Sequence, residues 1–215
     1  MTRPAGVVFD MDGLLLDSER LARDLFYASC RELGCNVDLA LYHRCVGASW
    51  EATRRILTGA LGSRTYALLE ARWTERYREA THSQPVPLKP GARAVLARLQ
   101  ALGIPRALAT STRRDVAETK LRLSGLLAHF SLLVCGGETE RGKPHPDPYL
   151  AAVAGLTLAP EACWACEDSD NGVRAAHAAG LKVYQVPDLV PPDAEVLAFG
   201  HTVIDSLEEL LQTLE

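Results

Sequence analysis

The sequence predicts an α/β fold with a parallel sheet at its centre, and three observations carry that expectation. From about residue 92 onward, short apolar runs alternate with amphipathic segments, as strands linked by crossover helices do. One further apolar run, Gly6 to Asp10, stands alone at the start of the chain. Between them, residues 17–85 carry helical periodicity with no strand-like run beyond the short stretch around Val46. The prediction is a Rossmann-like core, residues 1–16 and 86–215, with an α-helical cap domain, residues 17–85, inserted after the first strand.

Each element has its own signal. Gly-Val-Val-Phe-Asp is short and apolar, ends on an acid, and reads as a buried parallel strand. In the insert, Leu21, Leu25, Phe26, Ala28 and Ser29 fall near helical spacing, and Thr65 to Ala80 is long, charged and amphipathic, so a small bundle is expected. Pro85, Pro87 and Pro90-Gly91 break the chain as a linker does. Helix is then expected over Ala92–Leu102, strand over Arg106–Thr110, helix over Arg114–Leu123 and strand over Leu132–Cys135. Pro148–Ala154 reads as helix, Cys163–Glu167 as strand, Asn171–Ala179 as helix and Lys182–Val186 as strand. Thr202–Ile204 is a short last strand, and a helix starts near Leu207.

Composition excludes several classes. A chain of 215 residues, 47% hydrophobic and 23% charged, has ample material for a core. A net charge of -4 with mixed signs is not the basic footprint of a nucleic-acid binder. No apolar run approaches a membrane span of ~20 residues. Met1-Thr2-Arg3-Pro4 runs straight into a strand without a leader, so a cytoplasmic protein is expected, as a monomer or weak dimer. The six cysteines read as free thiols. Cys163 and Cys166 have a tempting spacing, but positions three apart on a strand face opposite sides of the sheet.

Parallel sheets place their chemistry at the carboxyl ends of the strands. Four such ends carry suitable residues: Asp10-Met11-Asp12-Gly13, Thr110-Ser111-Thr112, the loop with Gly142-Lys143-Pro144, and Glu167-Asp168-Ser169. Carboxylates gathered on one rim repel unless a cation neutralises them, and their oxygens are hard ligands suited to Mg²⁺. A hydroxyl, backbone N–H groups and a lysine can hold phosphate oxygens. One carboxylate can attack phosphorus, and a second, two residues on, can move the proton. Gly13 permits the turn between them.

Taken in order, these four motifs, with Leu14-Leu15-Leu16-Asp17-Ser18-Glu19 after the first, resemble those of the haloacid dehalogenase superfamily. The likeness is nearest to its β-phosphoglucomutase-like and small-metabolite phosphatase branch. It implies a Mg²⁺-dependent phosphatase of a small phosphorylated metabolite, a sugar phosphate or a nucleoside monophosphate such as pseudouridine phosphate. By the same resemblance Asp10 is the nucleophile and a metal ligand. Asp12 is the general acid/base and lends its backbone carbonyl to the metal. Thr110 and Ser111 bind phosphate, Lys143 orients nucleophile and phosphate, and Asp168 and Glu167 complete the metal site. Asp12 speaks against dehalogenation, because the dehalogenases lack this second acid.

Two departures weaken the alternative of a sugar-phosphate mutase. The mutases carry a histidine where Ala22 stands and an arginine near Trp50. A catalytically silent binding module is the other alternative, and the complete motif set opposes it. Substrate choice is expected to lie in the insert, with Ser49 and Trp50 as leading candidates and Arg54, Arg55, Arg72 and Trp73 behind them. Ser169 or Asp170 is a better helix cap than Asp168. His145 reads as an exposed loop residue, and Glu19 either as a group near the hinge or the site or, equally, as one that stabilises a helix start.

Overall fold

The computed structural model describes residues 3–46 and 50–214. Gly6–Phe9 (β1), four buried residues, stands inside a parallel sheet. Arg106–Ala109 (β2), Leu132–Val134 (β3), Cys163–Glu167 (β4), Lys182–Gln185 (β5) and Thr202–Val203 (β6) complete it, in the order β3-β2-β1-β4-β5-β6. The strand order reverses direction between β1 and β4. That makes the crevice beyond their carboxyl ends the natural ligand site of the sheet.

Residue alternation along each strand builds two cores. Val7 and Phe9, Leu108, Trp164 and Cys166, and Tyr184 face one side. They pack under Ala92–Ala101 (α5), Arg114–Leu123 (α6) and Leu207–Thr213 (α10). Val8, Ala107 and Ala109, Cys163 and Ala165, and Val183 face the other. Asp147–Gly155 (α7), Asp170–Ala178 (α8) and Ala194–Leu197 (α9) cover them. Cys163 and Cys166 therefore lie in different cores, both as free buried thiols. The spacing that suggested a metal or redox pair is the pleat of β4.

Among the described residues, four helices lie between β1 and α5: Ser18–Leu33 (α1), Leu39–His43 (α2), Trp50–Leu61 (α3) and Ser63–Ser83 (α4). They bury a third apolar cluster of their own, including Phe26, Cys30, Tyr42, Leu57, Tyr66 and Leu69. Trp73 belongs to its wall. Its ring meets Phe26 edge-on at 5.2 Å and its indole N–H donates to the Ala22 carbonyl at 2.9 Å. Arg54 pairs with Glu70, and Arg72 with Glu32 and Glu75. These three insert candidates are thus engaged in holding the bundle together. Among the described residues no helix is long and apolar enough to cross a membrane.

The two connections to this bundle run side by side. Asp17 N–H donates to the Pro87 carbonyl at 2.8 Å and Lys89 N–H to the Leu15 carbonyl at 3.0 Å. Leu16 and Leu88 form an antiparallel bridge between those bonds. Leu14, Leu15 and Leu16 are fully buried, which anchors the first connection in the apolar core.

Candidate active site

The sheet brings the four predicted strand-end motifs to one rim. Asp10 follows β1, and its N–H donates to the Cys166 carbonyl at 3.0 Å, extending the β1–β4 ladder by one residue. Its side chain is 9% exposed. Lys143, on the loop after β3, donates from Nζ to Asp10 Oδ1 at 2.5 Å and to Glu167 Oε1. The same ammonium lies 5.2 Å from the centre of the Tyr149 ring. The Tyr149 hydroxyl donates to Glu167 Oε1 at 2.5 Å, and the Asp168 and Ser169 N–H groups reach Oε2. Glu167 is therefore a fully buried anchor for the lysine.

Two glycines make room for these carboxylates. A Cβ on Gly172 would stand 1.9–2.1 Å from the carboxyl atoms of Glu167, so no larger residue fits beneath it. Gly13 has φ of 81°, in the left-handed region, and a Cβ there would stand 2.2 Å from Asp168 Oδ2. The sequence called for glycine at position 13 because of the turn. The structure adds a second reason, the close approach of Asp168. Ser169 caps α8 by accepting from the Gly172 N–H at 3.2 Å, which leaves the Asp168 side chain to the rim.

Oxygens of Asp10, Glu167 and Asp168 lie within 4.8 Å of one another. Burial pushes the Asp10 carboxyl up to about 7, against the pull of Lys143, with Glu167 and Asp12 adding to the rise. Burial likewise lifts Asp168 well above its usual range, and Asp10, Glu167 and Glu19 add to it. Burial alone would lower Lys143, but the charges of Asp10 and Glu167 outweigh it and hold the lysine protonated. Two buried carboxylates and the half-buried Asp168 around one lysine would, when all are ionised, leave an excess of negative charge. An all-oxygen donor set of this kind fits a hard divalent cation, which would supply the missing positive charge.

Asp12 points elsewhere. Its Oδ1 accepts from Lys120 Nζ at 2.8 Å and its Oδ2 from Thr112 Oγ1 at 2.7 Å. Burial pushes this carboxyl up, but the Lys120 charge and the bonds from Lys120, Thr112 and Ser18 bring it below the usual carboxylate range. Lys120 in turn donates to the Tyr77 hydroxyl on α4 at 2.9 Å, so a side chain of the insert reaches Asp12 through one lysine. Nearby, burial and the charges of Asp12 and Asp188 push Glu19 up to about 7, with Lys120 and Lys89 opposing.

Thr110 is 4% exposed, and its Oγ1 accepts from the Thr112 N–H at 3.1 Å, fixing the hydroxyl at the end of β2. Ser111 is exposed beside it, and His145 is exposed in its loop. Ser49 lies outside the described residues, as does the Trp50 side chain. Sequence reasoning did not single out Lys120, Tyr149, Tyr77 or Asp188. A signal existed for Lys120: it shares the buried stripe of α6 with Ala117 and Leu121, an unusual place for a lysine without a charged partner.

Known proteins converge on the same reading. Residues 7–186 match the family model of the haloacid dehalogenase-like hydrolases. A Thermotoga maritima protein named phosphorylated carbohydrates phosphatase is 30% identical over 210 residues, covering 97% of both chains. Hexitol phosphatase A of Escherichia coli K12 is 32% identical over 212 residues, covering 98% of this chain and 95% of its own. A HAD family hydrolase from Deinococcus radiodurans R1, solved with bound phosphate and sodium, superposes with a TM-score of 0.82 at 29% identity, over 100% of this chain and 96% of its own. With its doubly wound sheet, its rim of clustered acids and this match, the chain belongs to the haloacid dehalogenase-like hydrolases.

Proposed function

We propose that the chain is a Mg²⁺-dependent phosphatase of small phosphorylated metabolites, sugar and polyol phosphates foremost, acting through an aspartyl-phosphate on Asp10. The observation that carries this reading is the seating of Asp10. It is buried, bonded to Lys143 at 2.5 Å, and grouped with Glu167 and Asp168 at the switch point of the sheet. The names of the Thermotoga and Escherichia relatives support the substrate class.

In this reading Asp10, Asp168 and the Asp12 backbone carbonyl would hold the cation, with Glu167 beside them. When bound, it supplies positive charge to the transferring phosphoryl oxygens. Thr110, the Ser111 backbone and Lys143 hold those oxygens in place. With Oδ1 of Asp10 engaged by Lys143, Oδ2 attacks phosphorus as the ester P–O bond breaks, and Asp12 gives its proton to the leaving alkoxide. Asp12 then takes a proton from water, whose oxygen attacks the same phosphorus. Inorganic phosphate departs and the Asp10 carboxylate is restored. The arrangement of Asp12 against Lys120 and Thr112 is the ionised form that the second half of this cycle needs.

Residues 17–85 serve as a closing cap on their paired linkers, and Ser49 and Trp50 read the substrate beyond its phosphate. A panel of hexose, hexitol and nucleoside phosphates tests the assignment. Phosphate release with Mg²⁺, abolished by chelation, is expected. Interconversion of hexose phosphates with no release from any ester would overturn it in favour of a mutase.

Lys120 gives a sharper prediction about the proton. Lys120→Met frees Asp12 from its fixed position and is expected to slow hydrolysis of an alkyl phosphate ~10- to 100-fold, part of the usual worth of a placed acid. An aryl ester with a good leaving group needs no such acid to form the aspartyl-phosphate. The loss on p-nitrophenyl phosphate in single-turnover burst measurements is therefore expected to be much smaller. Equal losses on both esters would sink the link between Lys120 and Asp12.

A further inference from the structure

Asp188 sits just past β5, on the flank of the rim opposite Thr110. Its side chain is 3% exposed. Its Oδ1 accepts from Arg20 at 2.6 Å and from Lys89 Nζ at 2.5 Å. Arg20 lies in the first turn of α1 and also reaches Asp17 at 2.8 Å, so it belongs to the outgoing linker. Lys89 belongs to the returning one, bonded through its N–H to Leu15. One carboxylate oxygen of the core therefore holds both connections to the helical insert. A cavity of about 310 Å³ is lined in part by Asp17, Arg20, Lys89, Pro187 and Ser206.

The other oxygen has no such partner. Asp188 Oδ2 is buried without a hydrogen bond. Gly13 shows where it faces: a Cβ built there would stand 3.5 Å from Asp188 Oδ2 and 2.2 Å from Asp168 Oδ2. Both oxygens thus look onto the same small space beside the acid cluster. A buried carboxylate oxygen left without a donor is costly, and it normally finds a proton donor or water. A hydrated divalent cation offers that donor, because it keeps several of its waters when bound by carboxylates.

We propose that Asp188 couples the cation site to the hinge: Oδ2 accepts a hydrogen bond from water of the cation's shell while Oδ1 holds Arg20 and Lys89. This rests on the cation reading given above, and goes beyond it in assigning a residue outside the four motifs. Loading the cation then orders the Asp188 carboxylate and, through it, both linkers. Asp188 is a positioning residue here, since it touches neither substrate nor nucleophile.

Calorimetric titration of the full chain with Mg²⁺, without substrate, and limited proteolysis at the linkers test the coupling independently of turnover. Asp188→Asn is expected to weaken Mg²⁺ binding ~10-fold, the usual effect of losing a residue that supports metal ligands from behind. It is also expected to remove the protection of the linkers that Mg²⁺ confers on the wild type. Arg20→Gln keeps the carboxylate beside the cation, so its Mg²⁺ affinity is expected to stay within about twofold while the protection is lost. Because its side chain is partly exposed, this variant keeps the hinge arm testable should Asp188→Asn fail to fold. Unchanged affinity and protection in Asp188→Asn would overturn the coupling alone. Equal weakening in both variants would reduce it to a general charge effect and overturn it as well. A wild type that binds no Mg²⁺ would overturn the cation reading itself.

Discussion

Asp10→Asn is expected to abolish phosphate release, with a loss of at least ~10⁴-fold in kcat, because the amide cannot form the acyl phosphate. The fold should not suffer. In the metal-free protein the Asp10 carboxyl is pushed up to about 7, chiefly by burial. A carboxyl raised in the folded state contributes stability at low pH and loses it as pH rises through the folded value. Removing it should therefore stabilise the metal-free variant relative to wild type as pH increases from about 4 to about 7, by about 2–4 kcal/mol at the upper end. Adding Mg²⁺ should reverse the order, raising the melting temperature of the wild type more than that of the variant. Melting curves across pH, with and without Mg²⁺, check both halves. Full activity in Asp10→Asn would remove the nucleophile from this residue. A variant as weak as wild type above neutral pH would remove the charge argument.

Much of this site was legible because a parallel sheet turns sequence order into spatial order. Apolar runs of three to five residues, each ended by a polar group, place those groups on one rim once the strands align. The spans Arg114–Leu123 and Cys163–Glu167 were read as they stand, and the other strands ended within a residue of their expected limits. Ala194–Leu197 escaped notice because a single turn capped by Asp193 is too short to show a period. What the sequence hid were pairings across long separations. Asp188 meets Lys89 across 99 positions and Arg20 across 168, and neither spacing leaves a local pattern. The resemblance implies a general acid/base role for Asp12 and says nothing of what holds its carboxylate. Its turn toward Lys120 depends on which face of α6 packs inward, and that is set by tertiary contact.

Lys143→Met is expected to cost ~10³-fold in kcat and, unlike Asp10→Asn, to destabilise the fold by about 3 kcal/mol. The physical difference lies in what is left behind. Lys143 is 6% exposed and bridges Asp10 to Glu167, which is not exposed at all. Without the ammonium, Glu167 keeps the Tyr149 hydroxyl and two backbone N–H donors but has no opposite charge. Mg²⁺ should recover part of the lost stability by neutralising the cluster, yet not the turnover, since the bond that holds Asp10 in place is gone. Lys143→Arg separates charge from shape. It restores positive charge, but a planar guanidinium must fit where a compact ammonium lies 5.2 Å from the Tyr149 ring. The expected result is a melting temperature nearer the wild type than that of Lys143→Met, with turnover still at least ~10²-fold down. If Lys143→Arg restores turnover, charge alone suffices at this position and the directed bond from Lys143 to Asp10 is not what orients the nucleophile.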